Sequence, residues 1–115
     1  MIATSLDRAF QALADPTRRA IVERLMLGPR TVSDLAAPLG LSLPAIAHHL
    51  RQLEGGGLVR SAKTGRVRTC EIEPAAMQDV ECWIAARRAD WERRLDLLDR
   101  FLADQKTPIP DEGNR

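Results

Sequence analysis

The side chains able to do chemistry fall into three groups. His48 and His49 are adjacent and are followed closely by Arg51 and Gln52. Arg60, Lys63, Arg66 and Arg68 crowd the stretch from Leu58 to Cys70 with no acid among them, and Cys70, Cys82, Trp83 and Trp91 come later. Two imidazoles and two thiols are soft-metal ligands, but neighbours on a helix project about 100° apart and do not easily chelate one ion. Cys70 and Cys82 are too few for a disulfide framework and form no C-x-x-C pair, so two independent thiols in a reducing compartment are expected, with a redox pair as the alternative. No Ser or Cys stands beside a base, and Gly55-Gly56-Gly57 ends a helical pattern where a phosphate-cradling loop would start one, which argues against an enzyme. What remains is binding chemistry: cations for phosphates, and Arg or Gln side chains for base edges. No metal and no cofactor are expected.

These residues must be positioned by one small domain, since 115 residues support a single hydrophobic core. With two Phe, two Trp and no Tyr, that core is built from Leu, Ile, Val and Ala, which favours packed helices and a mainly α fold. The net charge of +1 does not announce a nucleic-acid partner. Its distribution does: the cations between Leu58 and Cys70 form a basic patch, while acids outnumber bases from Pro74 to Asp104. No signal-like start and no membrane-length apolar run is present, which implies a cytoplasmic location and no membrane partner.

Thr4-Ser5-Leu6-Asp7 has the capping-box pattern and opens a helix with Leu6, Phe10 and Leu13 at helical spacing. Asp15-Pro16 starts a second helix carrying Ile21 and Leu25, expected to run to Leu27 before Gly28-Pro29 stops it. Thr31-Val32-Ser33-Asp34 opens a short third helix that ends at Gly40. Ser42 caps a fourth, whose stripe Ile46, Leu50 and Leu53 runs to the glycine cluster. The tight turn between helices three and four is helix-turn-helix spacing. Two β-prone runs, Leu58 to Ala62 and Val67 to Ile72, flank Lys63-Thr64-Gly65-Arg66 and read as a hairpin. Pro74 opens a last long helix bearing Val80, Ile84, Trp91, Leu95, Leu98 and Leu102, its stripe broken by Arg87. The expected architecture is mainly α with a small β-hairpin: a winged helix-turn-helix over residues 1–104 with a long C-terminal dimerisation helix. A disordered tail over 105–115 is expected from Pro108, Pro110 and Gly113.

With Ile46 and Leu50 inward, Pro44, His48 and Arg51 fall on the opposite face of the fourth helix, flanked by Ala45 and Gln52. That face suits the major groove of double-stranded DNA. Arg51 or Gln52 would bond base edges, Ala45 would touch a thymine methyl, and Ser42 would meet a phosphate. His49, nearer the core, is expected to hydrogen-bond locally and help place the helix. Lys63 and Arg66 flank the hairpin tip, within reach of phosphates or a minor groove, and Arg60 and Arg68 extend the patch. The two tryptophans are expected to pack rather than line an effector pocket.

The run Phe10-Gln11-Ala12-Leu13-Ala14-Asp15-Pro16-Thr17-Arg18-Arg19-Ala20-Ile21 resembles the opening of the ArsR family of bacterial regulators. Ser42-Leu43-Pro44-Ala45-Ile46-Ala47-His48-His49-Leu50-Arg51-Gln52-Leu53, followed by Gly57-Leu58-Val59, is similar to that family's recognition helix and its exit into the wing. The resemblance covers about residues 5 to 103. It implies a homodimer joined through the first and last helices, here Leu6, Phe10, Ile84, Trp91, Leu95, Leu98 and Leu102. It also implies binding to a pseudo-palindromic operator and repression until an effector, which the sequence does not identify, releases the DNA. Three features depart from the metal-sensing members: Thr31 to Leu39 holds no Cys or His, the last helix holds no His, and Thr69-Cys70 replaces a Tyr pair. The chain is thus similar to a branch without a recognised metal site. A winged-helix protein-interaction adaptor and a thiol-based redox-sensing repressor using Cys70 and Cys82 are the alternative functions.

Overall fold

The computed structural model describes residues 4–106. Its elements are α1 (Ser5–Leu13), α2 (Pro16–Leu25), β1 (Arg30–Thr31), α3 (Val32–Leu39), α4 (Leu43–Gly55), β2 (Val59–Thr64), β3 (Val67–Ile72) and α5 (Pro74–Lys106). The chain divides into two compact units, one ending at Glu81 and the other beginning at Cys82.

In the first unit, each of the first four helices begins where a side chain takes up an orphan backbone N–H. Thr4 Oγ1 accepts from the Asp7 N–H at 3.1 Å while the Asp7 carboxylate accepts from the Thr4 N–H at 3.0 Å, a reciprocal capping box. Asp15 accepts from Arg18 at 3.0 Å, Thr31 from Asp34 at 3.1 Å, and Ser42 from Ala45 at 3.3 Å. Gly40, at φ 66°, lets the chain turn left-handed out of α3 and into α4. Helix α2 stops at Leu25, two residues before the expected end, and Met26 and Leu27 are exposed.

The core of this unit centres on Ile21, Leu35, Ile46, Leu53 and Leu58, with Cys70 buried among them. The buried residues of helix α1 are Ala9 and Ala12, while Leu6, Phe10 and Leu13 are half-buried and pack against the core's edge. Small residues there let α1 lie close to the end of α4. A Cβ placed on Gly56 would stand 2.8 Å from the Ala12 Cβ and 2.9 Å from the Arg8 carbonyl oxygen.

The expected hairpin is present, with β2 and β3 antiparallel from Val59↔Ile72 to Thr64↔Val67 and Gly65 turning at φ 63°. A third strand was not foreseen: β1 pairs with β3 through Arg30↔Cys70 and Thr31↔Thr69, giving the order β1-β3-β2.

From Cys82 onward α5 continues as helix to Lys106, so Gln105 and Lys106, placed in the tail by the sequence reading, are helical. The rest of that tail lies outside the described residues. Ile84, Trp91, Leu95, Leu98 and Leu102 are all exposed, as are Trp83, Leu97 and Phe101. Arg87, the break in the apolar stripe, lays its guanidinium 5.2 Å from the centre of the Trp83 ring. Asp90 pairs with Arg93 and Arg94, and Asp96 with Arg100, at helical spacing. Among the described residues no helix is long and apolar enough to cross a membrane.

Candidate nucleic-acid interface

Helix α4 turns Ile46, Leu50 and Leu53 into the core and leaves Ser42, Pro44, His48, Arg51 and Gln52 exposed, with Ala45 half-buried at the flank. Across from it stands the hairpin, whose Lys63, Arg66 and Arg68 are exposed. Between them runs a groove of about 500 Å³ lined by Thr31, Val32 and Ser33 at the start of α3, Leu43 and Ala47 of α4, and Lys63, Arg66, Val67 and Arg68 of the hairpin. A smaller hollow of about 280 Å³ continues it past Arg51, Glu54 and Arg68. Of the residues expected to bind DNA, these hollows bring together Arg51, Lys63, Arg66 and Arg68, while Ser42, Pro44, Ala45, His48 and Gln52 line neither.

The hairpin is less uniformly basic than the sequence implied. The stretch from Leu58 to Cys70 has no acid along the chain, but strand pairing sets Arg60 opposite Glu71. Arg60 Nε donates to Glu71 Oε1 at 2.7 Å and its Nη1 to Glu73 Oε2 at 3.0 Å, and both carboxylates hold its pKa above the ordinary arginine value. Arg60 is thus committed inside the hairpin. Arg68 is partly committed: its Nη1 donates to Ser61 Oγ at 2.8 Å, and that hydroxyl donates to Glu54 Oε2 at 3.0 Å. This relay ties the hairpin to the end of α4. Sequence reasoning missed Glu54 because its partners lie on another element.

The imidazoles separate as helix geometry requires, with ring centres 5.8 Å apart and planes at 60°. The local hydrogen bond expected for His49 is absent. Its buried Nδ1 has no hydrogen-bond partner among the described residues and stands 3.9 Å from Asp15 Oδ2, too far for a hydrogen bond. Asp15 is held below the usual carboxylate pKa, chiefly by the Arg18 N–H and further by the charges of Arg18 and His49. Two neighbouring cations also have structural work. Arg18 donates to the carbonyls of Ala12 and Gln11 at 2.6 and 3.0 Å, and Arg19 to that of Leu13 at 2.7 Å, satisfying the free end of α1.

Cys70 is fully buried, and burial, reinforced by the nearby Glu54 charge, pushes its thiol pKa up. Such a thiol is a poor thiolate nucleophile, which weakens the redox alternative. Cys82 is exposed. Among the described residues no three His, Cys, Asp or Glu side chains gather into a metal-holding group.

A recognition-type helix beside a cationic hairpin defines the winged helix-turn-helix class. Comparison with known proteins narrows it. Residues 15–61 match the family model described as bacterial regulatory protein, arsR family. The chain is 45% identical to the HTH-type transcriptional regulator Rv2034 of Mycobacterium tuberculosis, over 96% of its own length and 94% of that protein. It is 30% identical to the transcriptional repressor SdpR of Bacillus subtilis, over 69% of this chain and 88% of that one. The crystal structure of the ArsR family transcriptional regulator RHA00566 superposes with a TM-score of 0.73 at 49% identity, covering 77% of this chain and 98% of that one. The solution structure of Mb0332 from Mycobacterium bovis, a homodimeric winged helix-turn-helix DNA-binding domain, gives 0.59 at 28% identity, covering 80% and 82%. The chain belongs to the ArsR family of bacterial transcriptional regulators.

Proposed function

We propose that this protein is a transcriptional repressor that binds a pseudo-palindromic operator as a homodimer in the bacterial cytoplasm, and that its activity is binding rather than catalysis. The observation that carries this reading is the groove between helix and hairpin: Leu43, Ala47 and Arg51 of α4 and the cations Lys63, Arg66 and Arg68 line two hollows that share Val32, Ala47 and Arg68. In this arrangement Arg51 and Gln52 read base edges from the major groove, with Pro44, Ala45 and His48 against the bases beside them. Ser42 and the hairpin cations hold the phosphates. The hydroxyl of Ser42 accepts from Ala45 and still has its own proton to donate.

Dimerisation supplies the second half-site. The exposed stripe Ile84, Trp91, Leu95, Leu98 and Leu102 is the apolar face α5 offers to a second copy, and the half-buried Leu6 and Phe10 of α1 are further residues of the proposed interface. The homodimeric state of the Mb0332 domain supports the same assembly here. Release by an effector completes the reading. The test is selection of fragments of the source genome by the purified protein. Enrichment of a few duplexes sharing an inverted repeat is expected; retention of none, or of all alike, would overturn sequence-specific binding.

A further inference from the structure

Helix α4 begins with a leucine that the fold does not use. Leu43 is 54% exposed, although Ile46, Leu50 and Leu53 of the same helix are buried. Across the groove Val67 is 51% exposed. Both line the channel that also carries Lys63, Arg66 and Arg68. Apolar side chains on both sides of a groove whose hairpin side carries the cations match what a DNA strand offers: phosphates for the cations, and between them deoxyribose and the C5 methyl of thymine. The first residues of a recognition helix are those that reach base edges. Ala45, the residue that sequence reasoning assigned to the methyl, is half-buried and lies two residues further on, about 200° around the helix from Leu43.

We infer that Leu43 is a specificity-determining residue, selecting thymine at one position of each half-site by packing against its C5 methyl while Val67 closes on the sugar. The inference rests on the DNA-binding reading and names what that site prefers. The probe is the duplex enriched by this protein from a random-sequence library, with each thymine replaced in turn by deoxyuridine, which removes the methyl and keeps O4. The wild-type protein loses about fourfold in affinity at one position per half-site, the worth of one methyl group. Leu43→Ala binds the thymine and deoxyuridine duplexes equally. Leu43→Gln changes the base enriched at that position from thymine towards adenine, which a glutamine side chain can pair with bidentately.

A wild-type protein indifferent to every deoxyuridine overturns the inference without need of a variant. So does a Leu43→Ala protein that keeps the same methyl penalty, and in both cases the bound duplex leaves the DNA-binding reading standing. Failure to enrich any duplex overturns both.

Discussion

What an arginine does in this protein is decided by its neighbours. Arg18 and Arg19 close the end of α1, Arg60 is held by two glutamates, and Arg68 shares itself with Ser61. Lys63 and Arg66 make no hydrogen bond or ion pair among the described residues, so their charge is available to a phosphate. Arg66→Ala therefore lowers affinity for all DNA sequences alike and reduces the slope of log K against log salt by about one, read from titrations at several salt concentrations. Arg60→Ala leaves that slope unchanged. The sequence showed four cations and no acids, but the partners of Arg60 lie 11 and 13 residues away and are found only when strand register is known. Asp15 carries a pH prediction. Its folded pKa is depressed, so its contribution to stability is full above the unfolded value near 3.8 and is lost as pH falls through the folded value. Asp15→Asn keeps a capping oxygen and removes the titration, so its melting temperature falls less steeply than the wild type's as the pH drops below that point.

Element boundaries were legible wherever a capping residue announced them. Thr4, Asp15, Thr31 and Ser42 all accept the backbone N–H that their positions implied. The hairpin was legible because its runs flank a glycine turn. Strand β1 was not: two residues carry no alternation, and Arg30 and Thr31 read equally well as the approach to the α3 cap. In helix α1 spacing showed the apolar stripe but not the small buried residues Ala9 and Ala12, the second of which lies against Gly56 at the end of α4. Gly56→Ala tests that contact. A methyl group 2.8 Å from Ala12 Cβ and 2.9 Å from a backbone oxygen has no flexible neighbour to displace. The variant is expected to be less stable by about 1–3 kcal/mol in denaturant unfolding. An unchanged midpoint would show that α1 moves aside freely.

At the scale of the whole molecule, the long apolar stripe of α5 was visible in the sequence, but a single chain does not say what covers it. Ile84, Trp91, Leu95, Leu98 and Leu102 are 43–60% exposed, and burying such surface against a second copy recovers about 25 cal/mol per Å². Leu98→Glu places a carboxylate on that face, so the protein is expected to become monomeric by light scattering. It then loses at least about a hundredfold in specific affinity, since one recognition helix reaches only one half-site. A variant that stays dimeric and binds at wild-type strength would move the interface elsewhere. The central claim, that two copies present two α4 helices and two hairpins to one duplex, is tested most directly by sedimentation of the protein with its selected operator over a range of salt. Saturation at two protomers per duplex, with log K falling linearly as log salt rises, is the predicted result. Saturation at one protomer, or affinity indifferent to salt, would contradict it.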